Sequence, residues 1–123
     1  MMTDKQEIYE AMVNWQMDAG EDFLDYFDSD MNAVSFMCWA RGKGYISIEQ
    51  FNMWEEAYNG DFSEAGWATR YVHNCHGEEP GYAVVNEEDW TEEGQEKAYS
   101  ILAEFISESR SYQLKFNNFL ADN

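Results

Sequence analysis

The stretch Asp18-Ala19-Gly20-Glu21-Asp22-Phe23-Leu24-Asp25-Tyr26-Phe27-Asp28-Ser29-Asp30 decides how this chain folds, because it sets six carboxylates among four large apolar side chains. A disordered acidic tail lacks such groups and cannot offset its ordering entropy. Here the aromatics supply core material, and their spacing is helical. Phe23, Leu24 and Phe27 share one stripe of a short helix over 21–28, which leaves Glu21, Asp22, Asp25 and Asp28 on its outer side. Those carboxylates rise roughly 4.5 to 6 Å at a time along the axis. No cation relieves them. Between Lys5 and Arg41 there is no Lys or Arg, while Glu7, Glu10, Asp18, Glu21, Asp22, Asp25, Asp28 and Asp30 accumulate.

Upstream, Thr3 with Gln6 reads as a capping box, and Ile8, Met12, Trp15 and Ala19 recur at helical spacing. A helix over 4–19, stopped by Gly20, follows. Downstream, Ser29 or Asp30 caps a helix through Val34, Met37, Cys38 and Arg41 that ends at Gly42 and opens into an exposed cationic turn, Gly42-Lys43-Gly44. Ser47 with Gln50 then forms a capping box, and Ile46 and Phe51 stand where a hydrophobic staple needs them. Phe51, Trp54 and Tyr58 share a face up to Asn59-Gly60. Ser63 caps a further helix carrying Trp67, Tyr71 and Cys75, a loop holds Pro80, and Tyr82–Val85 is a candidate strand.

A second acidic block then builds through Glu87, Glu88, Asp89, Glu92, Glu93 and Glu96. Asp89 or Thr91 starts a long helix with Ala98, Ile101, Leu102 and Phe105 inward, and helical spacing persisting through Tyr112, Phe116 and Leu120 extends it toward Phe119. The expectation is a mostly α, single acidic globular domain over 1–123. It consists of several short amphipathic helices plus a long C-terminal helix, with at most a minor β element and α+β as second choice.

The 123 residues suffice for one core, and 45% apolar content with 17% aromatics fills it. Against 25 Asp and Glu stand 7 Lys and Arg, a formal charge of -18. A chain of 14.4 kDa exposes roughly 6,800 Å², so the average is about one charge per 380 Å². Duplex DNA, at one charge per ~1.7 Å of axis, carries about one per 110 Å². Imitating DNA therefore requires the acids to be concentrated on one side.

The charge argues against direct nucleic-acid binding, which needs Lys and Arg clusters, and against docking on anionic lipid. It points to a basic protein surface as partner. No segment has the ~20 apolar residues of a membrane span, and no signal peptide is apparent. With Cys38 and Cys75 as the two cysteines, reduced thiols in a cytoplasm are the expectation.

Chemistry-bearing motifs are few. His73, Cys75 and His76 with Cys38 are zinc-competent, but their spacing matches no paired Cys or His motif, and Cys75 falls on an apolar stripe. Asp28 to Asn32 begins like an EF-hand loop and fails at Ala33, where glycine is required, and at Trp39, where glutamate is required. No phosphate-binding glycine loop or nucleophile elbow is present. The chain reads as non-enzymatic, with no cofactor and no metal. Tyr9, Trp39, Trp90 and Tyr99 read as core or interface aromatics.

The segment from Phe51 to Tyr71 resembles a recurrent stretch of ArdA-type antirestriction proteins, in which an aromatic precedes an Ala-Tyr-x-Gly turn, an aromatic, a Ser and a helix. Phe51, Ala57, Tyr58, Gly60, Phe62, Ser63, Ala68 and Tyr71 match it. The resemblance covers 51–71 only; the β-rich first domain of that family has no counterpart here. It implies a DNA mimic, used by phages and mobile elements in host defence evasion, that occupies the DNA groove of type I restriction-modification enzymes. A homodimer, usual in that family, is compatible with it. The partner-binding face is then Glu7, Glu10, Asp18, Glu21, Asp22, Asp25, Asp28, Asp30, Glu87, Glu88, Asp89, Glu92, Glu93 and Glu96. Other readings are an anti-CRISPR-type DNA mimic, an acidic adaptor or chaperone for a basic protein, and a small metal-binding or thiol enzyme using Cys38, His73, Cys75 and His76.

Overall fold

A computed structural model describes residues 2–21, 23–27, 33–60 and 92–122. Within them the chain is mostly helical, as α1 (Lys5–Ala19), α2 (Phe23–Phe27), α3 (Ala33–Gly42), α4 (Ile48–Gly60), α5 (Glu92–Ser107) and α6 (Arg110–Asp122). The helix expected from Ser63, the loop at Pro80, the strand at 82–85 and the cap at Ser29 or Asp30 lie outside the described residues, as does most of the segment that carries the family resemblance.

α5 is the helix around which the others pack. Ala98, Tyr99, Ile101, Leu102, Ala103, Phe105 and Ile106 are all buried, so only a narrow strip of it meets solvent. A helix apolar around most of its circumference has to be covered on several sides. α1 packs on one side through Ile8 and Met12, and α6 on another through Tyr112 and Phe116. Two aromatic clusters bind the bundle. Phe23 and Phe27 of α2 meet Phe116 and Phe119 of α6 with ring centroids 5.4 to 5.9 Å apart, mostly edge to face. Phe36 and Trp39 of α3 each lie 5.2 Å from Phe105, which sits 4.7 Å from Tyr112. Each such pair adds about 0.5–1.5 kcal/mol beyond its buried area.

The helix ends follow from local chemistry. Asp4, rather than Thr3, caps α1: its carboxylate accepts from the N–H groups of Gln6 and Glu7 at 2.9 and 3.4 Å, an ionised acceptor at a helix start. Gly20 closes α1 at φ 69°, donating to the Gln16 carbonyl. The capping box of α4 forms as expected, with Ser47 N–H donating to Gln50 Oε1 at 2.8 Å and Gln50 N–H to Ser47 Oγ at 3.1 Å, over buried Ile46 and Phe51.

The inward side of α3 is Phe36, Met37 and Ala40, with the Phe36 ring edge-on against Phe105, whereas Val34 and Cys38 are exposed. Besides the cap of α1, one expectation is corrected. The C-terminal helix does not run on to Phe119. It stops at Ser107, and α6 starts after Ser109. Gln113, 8% exposed, donates from Nε2 to the Ser107 carbonyl at 2.7 Å and so satisfies an orphan group at the end of α5. Ser109 Oγ accepts from Tyr112 N–H at the start of α6.

Candidate functional site

The solvent strip of α5 is acidic. Glu93, Glu96, Ser100, Glu104 and Ser107 recur three or four residues apart and mark its open side, with Glu92 beside Glu96 and Glu108 just past the helix end. From Glu93 to Glu108 the strip rises about 22 Å. α1 borders it on one flank and the α3–α4 turn on the other.

On the α1 flank a furrow opens between the two helices. A cleft of about 370 Å³ is lined by Lys5, Gln6 and Tyr9 of α1 and by Glu93, Glu96, Lys97 and Ser100 of α5. A second, of about 170 Å³, is formed by Tyr9, Val13, Gln16 and Met17 against Glu92, Gln95, Glu96 and Tyr99. Tyr9 and Glu96 belong to both. The start of α1 thus meets the middle of α5 and the end of α1 meets its start, so the helices run antiparallel. Burial, and secondarily the Glu96 carboxylate, raise the pKa of the Tyr9 phenol above its usual value.

On the other flank the end of α3 is a Schellman turn. Tyr45 N–H donates to the Ala40 carbonyl and Gly44 N–H to that of Arg41, with Gly44 at φ 78°. This geometry carries Tyr45 over Trp39, ring centroids 5.7 Å apart, and delivers its hydroxyl to Glu104, to which it donates. That hydrogen bond, with burial and the negative charge of Glu104 and Glu108, pushes the phenol up to about 12. Lys43, in the turn expected to be simply cationic and exposed, pairs with Glu108 at 2.7 Å. The hydrogen bond to Glu108 raises its pKa despite an opposing desolvation cost.

At the far end of α1, Tyr99 links three elements. Its hydroxyl donates to Gln16 Oε1 and accepts from Phe23 N–H at 3.2 Å. An orphan donor at the start of α2 is thereby satisfied, and the acidic stretch is anchored to the core.

The expected partner-binding residues divide as follows. Glu7, Glu10, Asp18, Glu21, Glu92, Glu93 and Glu96 are all exposed. The structure brings Glu92, Glu93 and Glu96 together beside the furrow. Glu7 and Asp18, eleven residues apart and so on one azimuth of α1, face away from it, since Lys5, Tyr9, Val13 and Gln16 occupy the opposite side. Glu10 accepts from Gln6 Nε2 at 3.2 Å on the outer side. Asp22, Asp28, Asp30, Glu87, Glu88 and Asp89 lie outside the described residues, and of Asp25 only the helical backbone of α2 is described. Cys38 is exposed; His73, Cys75 and His76 lie outside the described residues, among which no cluster of three metal-competent side chains occurs.

Glu104, Glu108, Lys43 and Tyr45 were not expected at this surface. The signal for the glutamates was the four-residue repeat Glu92, Glu96, Glu104 and Glu108, broken once at Ser100 and masked by Lys97, which ends the cation-free run.

No helix of the described residues is long and apolar enough to cross a membrane. Comparisons of the chain with protein-family models, with curated proteins and with solved structures find no match.

Proposed function

We propose that this protein is a non-enzymatic inhibitor that occupies the DNA groove of a basic DNA-binding defence enzyme with a carboxylate surface, a type I restriction-modification complex foremost. The observation that carries the reading is the combination of a net charge of -18 with the exposure of Glu7, Glu10, Asp18, Glu21, Glu92, Glu93 and Glu96 from the two cation-free blocks. Charges fixed on packed helices are preorganised, so binding loses little ordering entropy and gains from counterion release at the partner's groove. The short resemblance to ArdA-type proteins agrees with this target, and the cytoplasm is where such a partner works. CRISPR effector complexes offer a groove of the same chemistry.

A second reading is favoured by one observation: Glu7 and Asp18 face away from the acidic strip of α5. An acidic adaptor or chaperone for a basic protein needs charge on several faces and no DNA-like geometry.

The test is DNA binding by a purified type I restriction complex, titrated with this protein at several salt concentrations. Expected is inhibition that excess DNA reverses and that weakens as salt rises. Neutralising Glu21, Asp22, Asp25 and Asp28 together weakens it, while any single change does little. Binding that DNA does not displace would transfer the protein to the adaptor class.

A further inference from the structure

The furrow between α1 and α5 is polarised along its length. At one end stand Lys5 and Lys97; at the other, Val13 and Met17 form an apolar side facing Glu92 and Glu96, with no cation among the described residues that line it. Tyr9 is partly buried at the junction, with the Glu96 charge close enough to perturb its phenol. Glu92 and Glu96 are one helical turn apart, about 6 Å along the axis. Among the described residues neither has an ion-pair partner, in contrast to Glu108, which holds Lys43. The acidic end, about 170 Å³, is smaller than the roughly 300–1,000 Å³ of small-molecule pockets and suits one side chain.

The geometry points to this acidic end as the seat for a single arginine side chain projecting from the basic surface of the partner. Its aliphatic stem lies along Val13 and Met17, its guanidinium plane covers the Tyr9 ring, and its N–H groups reach Glu92 and Glu96. Lysine fits less well, because a compact, strongly hydrated ammonium neither stacks nor forks between two carboxylates. Lys5 and Lys97 repel a second cation at the other end, which fixes the register. The assignment rests on the proposed function only in taking the partner to be a basic protein.

Octa-arginine and octa-lysine peptides of equal charge, titrated by calorimetry at one salt concentration, test it. The intact protein is expected to bind octa-arginine roughly three- to tenfold more tightly. That ratio falls to about one in Glu92→Gln/Glu96→Gln and in Tyr9→Ala, and persists in Tyr9→Phe. Glu7→Gln/Asp18→Asn, which removes the same charge from the opposite side of α1, lowers both affinities together and keeps the ratio. The glutamate pair is exposed, so its replacement keeps the test valid if Tyr9→Ala fails to fold. Equal binding of the two peptides by the intact protein, or a ratio unchanged in the glutamate variant, overturns the arginine seat. Either result leaves competition with DNA standing as a separate measurement, and loss of that competition leaves the peptide ratio standing.

Discussion

Tyr45 shows how much one residue draws from a turn. The Schellman geometry aims its hydroxyl at Glu104, and the hydrogen bond raises its pKa from the usual 10 to about 12. A phenol whose native pKa lies above the unfolded one keeps its proton longer when folded. The interaction is therefore fully present below pH 10 and is lost as pH rises toward 12. Tyr45→Phe should cost about 1 kcal/mol at neutral pH, a figure discounted for solvent screening because Tyr45 stays 39% exposed. In urea titrations, the gap between wild type and variant should close across that window; a gap that stays constant would show that the phenolic proton plays no part. The Ser47–Gln50 box was legible residue by residue, since both partners and both staple residues lie within six positions. The Tyr45–Glu104 contact was not, because 59 residues separate the pair.

Among the elements, α2 depends most on its surroundings. Five residues are far below the ~12–15 needed for an isolated helix, and the one acid it carries, Asp25, stands in a stretch of sequence that also holds Glu21, Asp22 and Asp28. It is held by the complete burial of Phe23 and Phe27 and by the Tyr99 hydroxyl, which meets its first N–H. Tyr99→Phe leaves that N–H and the Gln16 side-chain oxygen without this partner, at a cost of about 1–2 kcal/mol. Hydrogen exchange should accelerate at the Phe23 amide before it does so at the core of α5. Uniform acceleration would mean that Tyr99 supports the whole bundle rather than α2. The stripe of Phe23 and Phe27 was readable from spacing, but its anchor on α5 was not. The break between α5 and α6 was equally hidden: no glycine or proline marks Ser107 to Ser109, and the bend is stabilised by Gln113, six residues beyond the carbonyl it satisfies.

At the scale of the whole molecule, self-repulsion sets the response to salt. With a net charge of -18, raising ionic strength from about 0.01 M to about 0.15 M shortens the screening length from ~30 Å to ~8 Å. The thermal unfolding midpoint should rise by several degrees, corresponding to stabilisation on the order of 1 kcal/mol. A midpoint that falls would mean that attractive pairs such as Lys43–Glu108 outweigh the repulsion. The sequence by itself determined the helical class, the capping of α4, the end of α1 and the excess of acid, because these depend on composition and on contacts within one or two helical turns. Which acids of different helices share a face was a tertiary decision. Helical spacing fixes only the azimuth of a side chain about its own axis. Spacing along α5 already aligns Glu92, Glu93, Glu96 and Glu104; the packing of α1 and the α3–α4 turn around α5 then determined that this side stays open, while Glu7 and Asp18 look the other way.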